Sequence, residues 1–154
     1  MKSIYRNEQS KTAVWQLYDR QMTDLKIPYA DLFVDTSFEK THIIECGNLK
    51  GNPLLVFHGG NATTAYNLKY CRFLLDDFHV YAVDTIGHPG KSAEVSLSPR
   101  NQDYGKWAVD VIKGLGFKEM ACFGGSFGAG ILVKAMCAAP EVIKCSVLMV
   151  PSAI

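Results

Sequence analysis

Residues 120–130 read Met-Ala-Cys-Phe-Gly-Gly-Ser-Phe-Gly-Ala-Gly. Met120–Phe123 is a short apolar run of the kind that forms a buried strand. Gly130–Ala139 has the composition of a helix and stops at Pro140. Between them lies Gly124-x-Ser126-x-Gly128. A strand that turns straight into a helix brings neighbouring backbone very close to the residue at the turn. Glycines two places before and two places after remove the side chains that would clash. Ser126 is then held up and exposed at a helix N-terminus, where developing negative charge is favoured. Ser126 is the candidate nucleophile. The competing reading is a glycine-rich strand–helix turn with an idle serine, and the rest of the chain weighs against it.

Working outward, the same grammar repeats. Leu54–Phe57 is an apolar run that ends in His58-Gly59-Gly60-Asn61, and a helical stretch follows from Thr64 to Leu75. His79–Val83 is another run and ends in Asp84. After a polar loop to Pro99, Gln102–Leu115 carries Tyr104, Trp107, Ala108, Val111, Ile112 and Leu115 at helical spacing, with Gly116 as its stop. Cys145–Val150 is a last apolar run, closed by Pro151. Short apolar runs alternating with helices predict an α/β fold: a mostly parallel sheet covered by helices on both faces. Residues 1–47 differ. Val14, Trp15, Tyr18, Met22 and Leu25 predict an amphipathic helix over 8–27, ended by Pro28. Asp31–Thr36 and Thr41–Cys46 then predict an antiparallel hairpin turning through Ser37–Lys40. Residues 48–154 carry the parallel βα units, and the whole of 1–154 reads as one domain.

Composition sets the class. The 154 residues are 48% hydrophobic and 20% charged with a formal net charge of +1, which suits a globular domain and gives no electrostatic reason to expect nucleic acid or a membrane surface as partner. Five cysteines in apolar stretches, with no C-x-x-C, are expected as buried thiols in a reducing compartment. The N-terminus lacks the apolar run of a signal peptide, and no stretch approaches a bilayer-spanning length. A cytoplasmic protein is expected. Gly87-His88-Pro89-Gly90-Lys91-Ser92 ends like a phosphate-binding loop, but that motif needs a glycine where Thr85 stands, and no helix follows. His88 is read as a surface or loop-shaping residue.

Acyl transfer needs backbone N–H donors aimed at the oxyanion of a tetrahedral intermediate. His58-Gly59-Gly60-Asn61, His-Gly-Gly in type, stands where one donor would arise, and the N–H after the nucleophile supplies the other. Gly60, with Asn61 second, and Phe127 are the candidates, and His58 and Asn61 are expected to support the loop.

Taken together, His58-Gly59-Gly60, Asp84-x-x-Gly87-x-x-Gly90-x-Ser92 and Gly124-x-Ser126-x-Gly128-Ala129-Gly130 resemble the α/β-hydrolase superfamily, in order and interval its carboxylesterase branch. The resemblance implies a Ser-acid-His triad, an acyl-enzyme, a small-molecule ester as substrate, and no metal or organic cofactor. Chain order in that fold is serine, acid, histidine. After Ser126 the sequence holds one acid, Glu141, and no histidine; His42, His58, His79 and His88 all precede it. The triad acid and histidine are therefore expected in a missing C-terminal part, with the fold truncated after its sixth strand and the chain alone inactive. Residues 145–150 would then form an exposed edge open to self-association or pairing. The alternative is a non-catalytic protein that keeps the scaffold for binding or assembly.

Overall fold

The computed structural model describes residues 3–152. Met1, Lys2, Ala153 and Ile154, which belong to the N-terminal lead and the closing stretch of the sequence reading, lie outside the described residues. Helix α1 (Glu8–Leu25) is followed by the hairpin β1 (Tyr29–Thr36) and β2 (Glu39–Gly47). Then come β3 (Asn52–Phe57), α2 (Thr64–Tyr70), β4 (Phe78–Val83), α3 (Asp103–Gly114), β5 (Met120–Gly125), α4 (Phe127–Ala138) and β6 (Ile143–Met149).

The strands form one sheet in the order β1-β2-β4-β3-β5-β6. β3 pairs parallel with both β4 and β5, and β5 parallel with β6, while the hairpin adds antiparallel to β4 through β2. Side chains alternate between faces along each strand. Leu55, Phe57 and Val83 point to one face, where α3 and α4 contribute Trp107, Ile112 and Ile131. Leu54, Val56 and Val80 point to the other, where α1 and α2 contribute Tyr18, Met22 and Leu68. Helices therefore cover both faces, as the alternation of runs and helices predicts. The chain moves from β3 outward to β4, then crosses back to β5. The order thus reverses between β3 and β5, and the carboxyl ends at such a reversal are where α/β sheets place their ligands.

Several boundaries differ from the sequence reading. α1 stops at Lys26, which adopts a left-handed conformation at φ 51° and caps the helix, before Pro28 can act. Its buried residues are Tyr18, Met22 and Leu25. Trp15 instead lies 39% exposed and donates its indole N–H to the Gly90 carbonyl at 2.9 Å. α2 ends at Tyr70, and a single 3₁₀ turn over Arg72–Leu74 completes the stretch. α4 starts three residues before Gly130, because only Ser126 separates the end of the strand at Gly125 from the start of the helix at Phe127. All five cysteines are free thiols, but only Cys46, Cys71 and Cys122 are buried. Cys137 and Cys145 are exposed, a correction to the expectation of five buried thiols. Cys145 sits on β6 opposite Ala121, on the face that α1 and α2 cover elsewhere but do not reach here. Val147 and Met149 share that open face, 58% and 50% exposed. No helix among the described residues is long and apolar enough to cross a membrane.

Candidate active site

At the end of β5 the backbone folds sharply over itself. Ser126 is held at φ 50°, ψ −115°, a conformation that L residues rarely adopt. Both flanking glycines are forced by close approach. A Cβ on Gly124 would lie 2.8 Å from the Ala129 nitrogen, and one on Gly128 would lie 2.6 Å from the Phe57 carbonyl oxygen. The serine backbone is clamped from β6: its N–H donates to the Met149 carbonyl at 2.8 Å, and its own carbonyl accepts from the Ser152 N–H at 3.1 Å. Ser126 is exposed and its Oγ lies 3.1 Å from the Ser152 hydroxyl.

The loop after β3 lies directly against this turn. A Cβ on Gly59 would sit 3.6 Å from the Ser126 Cβ, and one on Gly60 would sit 3.6 Å from the Phe127 Cβ. Asn61 turns the chain away at φ 56°. Phe127 opens α4, so its N–H belongs to the helix-start amides that have no acceptor within the helix. The ends of β3 and β5 thus bring together Ser126, Gly60 and Phe127.

His58 is buried, and both its ring nitrogens are occupied. Nδ1–H donates to the Gly59 carbonyl at 2.7 Å, while Nε2 accepts the Thr85 N–H at 3.1 Å. The two bonds fix one neutral tautomer and tie the loop to the end of β4. Burial lowers the His58 pKa below the usual imidazole value, only partly offset by the Gly59 hydrogen bond and the Asp84 charge. With neither nitrogen free, this imidazole has no lone pair to offer Ser126.

Asp84 anchors the next loop. Its carboxylate is fully buried and accepts from the Lys91 N–H at 2.8 Å and the Thr64 N–H at 3.3 Å. His42 Nδ1 lies 2.8 Å from Asp84 Oδ2, and His42 Nε2 lies 2.8 Å from Asp31 Oδ1. Burial alone would raise the Asp84 carboxyl, but the hydrogen bond and charge of His42 and the Lys91 amide outweigh it and hold the group below its ordinary range. The Gly87–Ser92 loop therefore turns its Lys91 amide inward, to a carboxylate, where a phosphate loop would present its amides to a ligand. His88 is half-buried, with its ring stacked 4.7 Å from that of Phe127. Tyr104 meets the same ring edge-on at 5.3 Å. Burial and the neighbouring His58 push the His88 pKa down to about 4. Sequence reasoning missed the His42–Asp84 pair and this aromatic clamp. One polar signal was available: His42 stands in the Thr41–Cys46 run directly before its apolar centre, Ile43-Ile44. Glu141 lies exposed in the 3₁₀ turn before β6. No group of three or more His, Cys, Asp or Glu among the described residues is placed to hold a metal ion.

The sequence model of the alpha/beta hydrolase fold matches residues 52–154, the stretch that carries the Ser126 turn and the loop after β3. The chain belongs to that family. Among curated members it is 30% identical over 138 residues to carboxylesterase YbfK of Bacillus subtilis, covering 90% of this chain and 47% of the relative. It is 25% identical to the uncharacterized carboxylesterase nap of the same organism, of which it covers 46%. The crystal structure of the YbfK carboxylesterase superposes with a TM-score of 0.84 over 94% of this chain and 50% of that one. That of naproxen esterase from Bacillus subtilis superposes at 0.80 with 25% identity, over 90% of this chain and 49% of that one. The chain spans about half the length of the alpha/beta hydrolases it matches.

Proposed function

We propose that Ser126 is the nucleophile of a serine hydrolase acting on small carboxylic esters through an acyl-enzyme. The carrying observation is the Ser126 turn, strained and exposed, with the Gly60 loop packed against Phe127. Oγ adds to the ester carbonyl, and the oxyanion that forms is met by the Gly60 and Phe127 N–H groups. A base takes the Oγ proton in that step and passes it to the alcohol as it leaves; water, giving a proton to the same base, then releases the acid and restores the serine hydroxyl. The four histidines precede Ser126, and His58 is committed to its own loop. We therefore place the base, and the carboxylate that orients it, outside residues 1–154. Residues 1–154 act as one incomplete domain: helix and hairpin over 1–47, βα units over 48–154. Carboxylesterase relatives support the ester as substrate, and five free thiols fit a reducing, cytoplasmic setting.

The test is hydrolysis of p-nitrophenyl butyrate. The 154-residue chain by itself is expected to match buffer. Joined after Ile154 to the C-terminal half of the YbfK carboxylesterase, it should turn the ester over, and Ser126→Ala should abolish that rate. Turnover that survives Ser126→Ala, or Ser126-dependent turnover by the chain alone, overturns the respective part of the reading.

A further inference from the structure

We propose that the crevice between α1 and α2 receives one arm of the ester, an apolar arm that ends in a carboxylate. The inference rests on the reading of Ser126 as nucleophile. Two adjoining hollows make up the crevice. The first, about 300 Å³, opens on Gly60 and Asn61 and is walled by Val14, Leu17 and Tyr66. The second, about 310 Å³, continues between the helices to Asp24, Lys69 and Arg72. Gln21 and Tyr66 line both, so the two hollows adjoin side by side, the first of them at the candidate oxyanion loop. Each hollow alone has the volume of a small ligand site.

The chemistry changes along its length. At the loop end Leu17 and Tyr66 offer apolar surface while 48% and 45% exposed, and covering such surface favours binding. At the far end two cations face one carboxylate. Arg72 spends one Nη1 N–H on the Leu25 carbonyl at 3.1 Å, and a guanidinium keeps further donors for an anion. An arm that leaves the ester carbonyl at Gly60 therefore meets hydrocarbon first and positive charge last.

Monomethyl suberate, with a methyl ester and a carboxylate at opposite ends of an apolar chain, is the probe. Amide NMR on the Ser126→Ala chain reads binding without requiring attack. Saturable shifts are expected at Gly60, Asn61, Tyr66 and Lys69. Leu17→Asp and Lys69→Glu should each weaken binding about fivefold or more, and methyl octanoate should lose the Lys69 shift. Shifts that spare the groove, or affinity unchanged in both variants, overturn the proposal. Fluorophosphonate labelling of Ser126 in the joined protein without groove shifts defeats the groove alone. Groove shifts without labelling defeat the nucleophile alone.

Discussion

The Ser126 conformation, φ 50° and ψ −115°, costs a non-glycine residue about 1–3 kcal/mol. A glycine there would relieve the strain and remove the proposed nucleophile together. Ser126→Gly is expected to raise stability by about 1 kcal/mol in urea denaturation, after the entropy a glycine loses on folding. Unchanged or lower stability would mean that the turn is not strained. Gly128→Ala should do the reverse. Its Cβ would meet the Phe57 and His58 carbonyl oxygens at 2.6 and 2.7 Å, so a loss of about 1–3 kcal/mol is expected by the same measurement. The tight clearance at the flanking glycines was legible in the sequence, because their spacing around a serine is a local pattern. The clamp of His88 and Tyr104 on Phe127 was not. Those residues are distant in the chain, and nothing local tells which ring each will meet.

Strands and helices were legible where the apolar period was strong, as in α3 and β3–β5. Their ends were less so. The start of α4 hid among glycines that lower helix propensity, and the stop of α1 rested on a lysine in a left-handed conformation, a role glycine or asparagine usually fills. The His42–Asp84 pair needed the hairpin to add beside β4, a register no local pattern specifies. β6 carries two exposed apolar side chains, Val147 and Met149. The pairing expected of residues 145–150 is testable at this edge. Val147→Lys is expected to shift sedimentation toward monomer. A wild-type chain that is already monomeric at high concentration contradicts this.

At the scale of the molecule, two depressed imidazoles make stability depend on pH. Unfolded His88 takes up a proton near its ordinary value of 6.5, while the folded residue does so only near about 4. Over that window the unfolded state binds more protons, so stability falls as pH drops from about 6.5 to about 4. His58, also lowered by burial, acts with the same sign. Asp84, held below its ordinary 3.8, contributes stability that is present above that value and is lost only at more acid pH. Urea midpoints at several pH values between 7 and 4 should therefore decline, and His88→Phe, which keeps the stack on Phe127, should flatten the decline. Equal slopes in both proteins would show that His88 does not titrate in this way.

The central claim concerns one oxygen atom. A fluorophosphonate should phosphonylate Ser126 in the chain joined to the C-terminal half of the YbfK carboxylesterase. Intact mass and peptide mapping should place one adduct on the peptide that contains Gly124–Gly128, and Ser126→Ala should take none. An adduct on another residue, or no adduct in a joined protein shown to be folded by circular dichroism, would contradict the account.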